Sequence, residues 1–255
     1  MNTDGAPDTT KGLEHHLVPI PANGDDVCPS CRSWRHARFD YCSNCLEILG
    51  TLSRPCGAII PITMYSKPSL LRDIVTFYKP GNDRYEPKYE DYVSAILYRF
   101  LTVNHRRIVT IVGDYDTVTW VPSSHSPKNH PFFRILQMYD GFDGPVVETL
   151  ERGPGQLGKR VMSDDAFAVT HDVKGKKILL LDDVFTTGAH LQSAASALQL
   201  AGATVRSAVV FARRINPDFN LASQALWDRQ QAIPYNFNTA VDWLERCTVV
   251  HWQRS

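Results

Sequence analysis

The chain has 255 residues, 43% of them apolar and 21% charged, and its 27 basic and 27 acidic side chains cancel. Bulk electrostatics therefore names no partner, and the length suits one sizeable core plus a small appendage rather than two full domains. No apolar run approaches the ~20 residues that span a bilayer, and the amino-terminal end lacks a basic stretch and an apolar signal core, so a cytoplasmic location is expected.

Residues 1–26 are rich in Asp, Thr, Gly, Pro and Asn with few large apolar groups, which predicts a disordered tail. Within it, His15 and His16 read either as a solvated pair or as metal ligands. Residues 27–50 carry Cys28-Pro29-Ser30-Cys31 and Cys42-Ser43-Asn44-Cys45. Two such knuckles supply the four thiolates of a tetrahedral structural Zn²⁺ site, and the stretch between them has too few apolar residues to fold without one. Two disulfides are the alternative, disfavoured because no export signal is seen. Arg32, Arg35 and Arg38 with Trp34 and Phe39 combine cations and rings, a pattern that grips single-stranded nucleic acid but also solvates ribbon surfaces. Cys56 and Cys247 read as small buried hydrophobes.

From residue 51 to 255, strands and helices alternate, which predicts a parallel sheet flanked by helices. A strand is expected over 57–65, a short helix over 70–78 ended by Lys79-Pro80-Gly81, and a longer helix over 88–104. Apolar runs at 108–112 and 118–121 follow as the next strand segments. Ser123 and Ser124, with Lys128, open a loop whose hydroxyls and cation suit pyrophosphate. In residues 150–162, Arg152, Lys159 and Arg160 alternate with glycines, as in a flexible lid over a polyphosphate. Part of this segment, residues 153–160, also fits G-x-x-x-x-G-K, yet Arg160 stands where a P-loop needs a hydroxyl for Mg²⁺ and Pro154 removes a backbone donor.

The most informative run begins at Lys177. Ile178 to Leu181 read as a strand buried on both faces, and ligands of open α/β sheets bind at the carboxyl ends of such strands. Asp182 and Asp183 stand at that end, and two adjacent carboxylates need hydroxyl donors or a metal ion, a need that a ribose diol meets. Thr186, Thr187 and Gly188 then lead into a helix beginning near Ala189 and His190, where backbone N–H groups favour a phosphate. Gly202 ends that helix and a strand is expected over 204–211, completing a βαβ unit. The region 221–255, with Trp227, Trp243 and Trp252, suggests further core or an oligomer contact.

Leu180-Leu181-Asp182-Asp183-Val184-Phe185-Thr186-Thr187-Gly188-Ala189 resembles the phosphoribosyl pyrophosphate (PRPP) motif of type I phosphoribosyltransferases. The resemblance implies that Asp182 and Asp183 hold the ribose 2′ and 3′ hydroxyls, that residues 186–190 wrap the 5′-phosphate, and that Mg²⁺ accompanies PRPP. Combined with the four-cysteine ribbon, and with Tyr65-Ser66-Lys67-Pro68-Ser69-Leu70-Leu71, Lys79, Gly81, Arg152 and Gln156, the chain resembles the ComF-type proteins associated with bacterial competence. It departs from them in having only Lys128 and Arg134 as cations over 123–137, and in a shorter mobile loop. The expectation is phosphoribosyl transfer from PRPP to an unidentified acceptor, with Lys128 and Arg152 steadying the pyrophosphate. The second reading is a non-catalytic PRPP- or nucleotide-sensing protein, related to competence, whose ribbon binds single-stranded nucleic acid or a protein.

Overall fold

The computed structural model describes residues 6–123, 131–205 and 207–245. Ser124, Lys128, Cys247 and Trp252 lie outside the described residues. In chain order, α1 (Ala6–Lys11) and α2 (Ser43–Thr51) precede β1 (Ala58–Tyr65), which leads through α3 (Leu70–Phe77) and α4 (Pro87–Val112) into β2 (Thr117–Trp120). After α5 (Pro131–Gln137) come β3 (Leu150–Arg152) and β4 (Phe167–Val169), an antiparallel pair. The chain then forms β5 (Ile178–Phe185), α6 (Ala189–Leu200), β6 (Ser207–Arg214), α7 (Leu221–Gln231) and α8 (Asp242–Glu245).

The central sheet has the order β1-β6-β5-β2 and is parallel throughout. Alternation along its strands sorts the core into two faces. Ile60, Ile62, Leu179, Leu181, Val209 and Phe211 pack with Leu71, Ile74, Val93, Ile96 and Phe100 of α3 and α4. Their neighbours Ile59, Ile178, Leu180, Ala208 and Val210 pack with Leu191, Ala194 and Leu198 of α6 and with the four ribbon cysteines. This is the expected parallel α/β sheet flanked by helices, with the ribbon seated on the α6 face.

Two expectations are corrected. The apolar run at 108–112 is not a strand: α4 continues through it, because Leu101, Asn104, Ile108 and Val112 keep one buried helical stripe and no breaker intervenes before Gly113, which ends the helix at φ 98°. The described part of the 1–26 segment is also not a loose tail. Leu13, Leu17, Val18 and Ile20 are buried in the core, and the Met64 N–H donates to Val18 O at 2.9 Å. Thr63 Oγ1 accepts from the Val18 N–H at 2.9 Å and donates to Val18 O at 3.0 Å. These few apolar groups cover the outer edge of β1, which would otherwise offer unpaired backbone to another chain.

Candidate ligand site and metal centre

β5 runs four residues past its apolar stretch, so both aspartates lie on the strand and face opposite ways. The Asp182 carboxylate is buried and accepts the Asp183 N–H at 2.9 Å. Burial first, and then the charge of Asp183, push its pKa well above the ordinary carboxylate range. Asp183 accepts from the Tyr78 hydroxyl at 2.6 Å and pairs with the Lys79 ammonium. Tyr78 is fully buried, and burial with the Asp183 charge holds its pKa well above the usual phenol value, so it remains a donor. Sequence reasoning did not place Tyr78 and Lys79 at the acids. The available signal was the Tyr78-Lys79-Pro80-Gly81 stop of α3, which sets a cation at the sheet's carboxyl edge.

The turn after β5 lies where the sequence puts it. Gly188 has φ 96° and caps the start of α6. A Cβ there would stand 2.6 Å from Phe185 Cζ and 3.0 Å from Ile48 Cδ1, so the position is closed to side chains by conformation and by space. Gly188→Ala is therefore expected to lower stability by about 2–4 kcal/mol, the sum of left-handed strain and overpacking, as read from urea denaturation. The turn and Asp182 share one cavity of about 460 Å³, lined among others by Thr186, Gly188, His190, Arg152 and Lys159, while Asp183 faces Tyr78 and Lys79. Asp182 enters it from the strand and Thr186 to His190 enter it from the turn. The Thr187 hydroxyl donates to Lys159 O, which docks the glycine-rich segment on the turn.

Arg152 lines the cavity, but its guanidinium is held by its own hairpin, donating to Ala166 O and, at 3.3 Å, to Gly155 O. Ser123 follows the end of β2, where the Val121 N–H donates to Leu181 O at 2.9 Å, so it stands beside the strand end that carries the acids. Residues 153–160 lie in the connection between antiparallel β3 and β4 and do not join a strand to a helix, which removes the P-loop reading.

The sulfurs of Cys28, Cys31, Cys42 and Cys45 converge within 4.8 Å of one another, all buried. A tetrahedral Zn²⁺ with ~2.3 Å bonds needs sulfurs about 3.8 Å apart, so the four thiols fit such an ion after minor adjustment. All four are free thiols, and Cys31 Sγ stands 3.5 Å from Cys42 Sγ, far from a bonded pair. Among the described residues this is the only group of three or more His, Cys, Asp or Glu placed to share a metal, so His15 and His16 do not belong to one. The arginines between the knuckles do not form a common surface. Arg32 is buried with its guanidinium 4.2 Å over Trp243 and a 2.6 Å bond to Asn23, and Arg35 donates to Val27 O at 3.0 Å. Beside them, a cleft of about 620 Å³ separates the ribbon from the end of β6, with Trp34, Phe39, Phe219, Arg214, Thr186 and Thr187 on its walls.

Residues 142–251 match the family model described as phosphoribosyl transferase domain. This part of the chain is similar to a phosphoribosyl transferase domain. It contains the hairpin, the acid pair, the turn and α6, while the ribbon and β1 lie outside it. An orotate phosphoribosyltransferase of Methanopyrus kandleri is 33% identical over 84 residues, which are 33% of this chain and 41% of that protein. The chain thus spans less than half the length of the curated relative it matches. Among solved structures, UMP synthase of Leishmania donovani is matched over 65% of this chain and 31% of its own, at 14% identity and a TM-score of 0.33. Adenine phosphoribosyltransferase of Leishmania tarentolae is matched over 63% and 94%, at 10% identity and a TM-score of 0.31.

Proposed function

We propose that the chain binds PRPP, or a closely related ribose 5-phosphate ligand, with Mg²⁺, and transfers its phosphoribosyl group to a nucleophile. The observation that carries this is the single cavity in which a buried, charge-burdened Asp182 meets the turn at Gly188. A carboxylate whose ionisation is opposed by burial gains most from hydroxyl donors or a cation, and an anion is favoured at the start of α6. Asp182 and Asp183 take the 2′ and 3′ hydroxyls, and residues 186–190 take the 5′-phosphate. We assign the pyrophosphate to Ser123 and Arg152 and, from the sequence alone, to Ser124 and Lys128. Asp182 and Asp183 are the carboxylates that would hold Mg²⁺, and the ion would offset charge on the diphosphate. In the transfer, the bond from C1 to pyrophosphate oxygen breaks with its electrons leaving on pyrophosphate, while the nucleophile bonds to C1 and loses its proton to solvent. The chain's own part is positioning and charge complementarity.

The four cysteines hold Zn²⁺, and the pairing of ribbon with PRPP-type site makes a ComF-like arrangement. A non-catalytic sensor is the second reading. It is favoured by the engagement of Arg152 with its own hairpin and of Asp183 with Lys79. Calorimetry with PRPP and Mg²⁺, set beside pyrophosphate release against a panel of amines and nucleobases, separates the cases. Binding with release supports transfer, and binding without release under any acceptor supports sensing. Failure of PRPP to bind overturns both.

A further inference from the structure

The strongest unassigned feature is Arg213. It is buried to 2% exposure at the end of β6, and its guanidinium reaches two places at once. On one side Nε donates to Cys31 O at 2.9 Å and Nη2 lies 3.7 Å from Cys31 Sγ. On the other, Nη1 donates to Phe185 O at 3.1 Å and to Thr186 O at 2.6 Å, with the guanidinium 4.8 Å over the Phe185 ring. One side chain thus joins a knuckle of the cysteine cluster to the last residue of β5 and the first of the turn. A second contact runs in parallel, since Ile48 of α2, the helix carrying Cys45, packs where a Gly188 side chain would be.

We propose that Arg213 is a positioning residue through which metal occupancy of the four-cysteine cluster sets the affinity of the turn for a phosphate monoester. The assignment rests on reading residues 186–190 as the phosphate site. Four thiolates around a divalent ion carry a net double negative charge, half of which an adjacent buried guanidinium offsets. The same guanidinium then holds the Phe185 and Thr186 carbonyls, and so fixes which way the following amides point. Without the metal, the knuckle loses its fixed shape and Arg213 loses one of its two anchors. The turn then has to be ordered by the ligand, at the ligand's expense in affinity.

Two measurements test this on the full-length chain. Hydrogen exchange at 185–190 is read with Zn²⁺ bound and after chelation, with α4 as internal control. The turn is expected to exchange faster after chelation while α4 is unchanged. In Arg213→Met with zinc bound, the turn already exchanges fast, and Arg213→Lys falls between. Affinities are then measured both ways, Zn²⁺ by chelator competition with and without PRPP, and PRPP with and without Zn²⁺. Each ligand is expected to tighten the other by the same factor, about 5-fold or more, and Arg213→Met to reduce that factor towards one. Unchanged exchange at the turn after chelation overturns the coupling, whatever PRPP does. Accelerated exchange in a protein that binds no PRPP upholds the coupling and instead removes the phosphate reading of the turn. Should Arg213→Met fail to fold, the chelated parent and Arg213→Lys decide the outcome.

Discussion

Asp182→Asn is expected to raise the melting temperature of the ligand-free protein while weakening PRPP binding. The two effects have one cause. Asp182 is buried next to Asp183, and its pKa in the folded chain lies well above its unfolded value. A carboxyl with a raised folded pKa favours the folded state fully below its unfolded pKa, near 3.9, and loses that contribution as pH rises through the folded value. At neutral pH the parent therefore bears the cost of burying a carboxyl that is ionised in the unfolded chain, and the amide does not. Removing about 1 kcal/mol of that cost raises Tm by roughly 2–4 °C in a chain of this size. The Tm difference should shrink as pH falls towards 4 and widen towards 8. Loss of a charge-assisted bond to a sugar hydroxyl costs about 1.5–3 kcal/mol, or about 10–150-fold in Kd. Asp183→Asn is expected to move stability the other way, by about 1–3 kcal/mol, because Tyr78 and Lys79 lose their charged partner. Thermal scans across pH with PRPP titrations check the pair. An Asp182→Asn protein that melts lower than the parent at pH 8, or binds PRPP as tightly, refutes this account of the acids.

The parts of this arrangement that local chemistry dictates were legible in the sequence. Ile178 to Leu181 could only be a buried strand, and the acids, threonines and glycine after it needed no distant information to be placed at its end. The cysteine spacing was similarly self-contained. What escaped was set by tertiary partners. Val18 joins the core because β1 has an outer edge to cover, and nothing in residues 1–26 announces that edge. The 108–112 run has the composition of a strand, and only its register with Leu101 and Asn104 on α4 makes it helix. Lys79 and Arg213 lie about a hundred and thirty residues apart, yet both serve β5, one at Asp183 and the other at Phe185 and Thr186. Side chains that reach across strands leave no periodic mark, and so the clamp on the acids and the strut beneath the turn become visible only in the fold.

Cys45→Ser is expected to have the largest effect on stability. Among the described residues from 27 to 46, Val27 is the only buried apolar side chain that is not a cysteine. The segment therefore has almost no core of its own, and metal binding must supply its ordering, for which structural Zn²⁺ offers roughly 10–16 kcal/mol in small ribbons. Losing one of four ligands should drop zinc content well below one ion per chain and expose the α6 face that the cysteines and Ile48 now cover. A loss of about 3–5 kcal/mol, seen as a Tm lowered by roughly 10 °C, is the expected outcome. Cys56→Ser is the matched control. Cys56 is equally buried, with its thiol pushed up to about 12 by burial, but its sulfur donates to Ala58 O at 3.5 Å and stands outside the cluster. Its variant should keep full zinc content and lose far less stability. Chelator should destabilise the parent and dithiothreitol should not, since the cluster acts through thiolates and a metal. If dithiothreitol lowers Tm and chelator leaves it unchanged, the cysteines are cross-linked pairs and the zinc assignment is wrong.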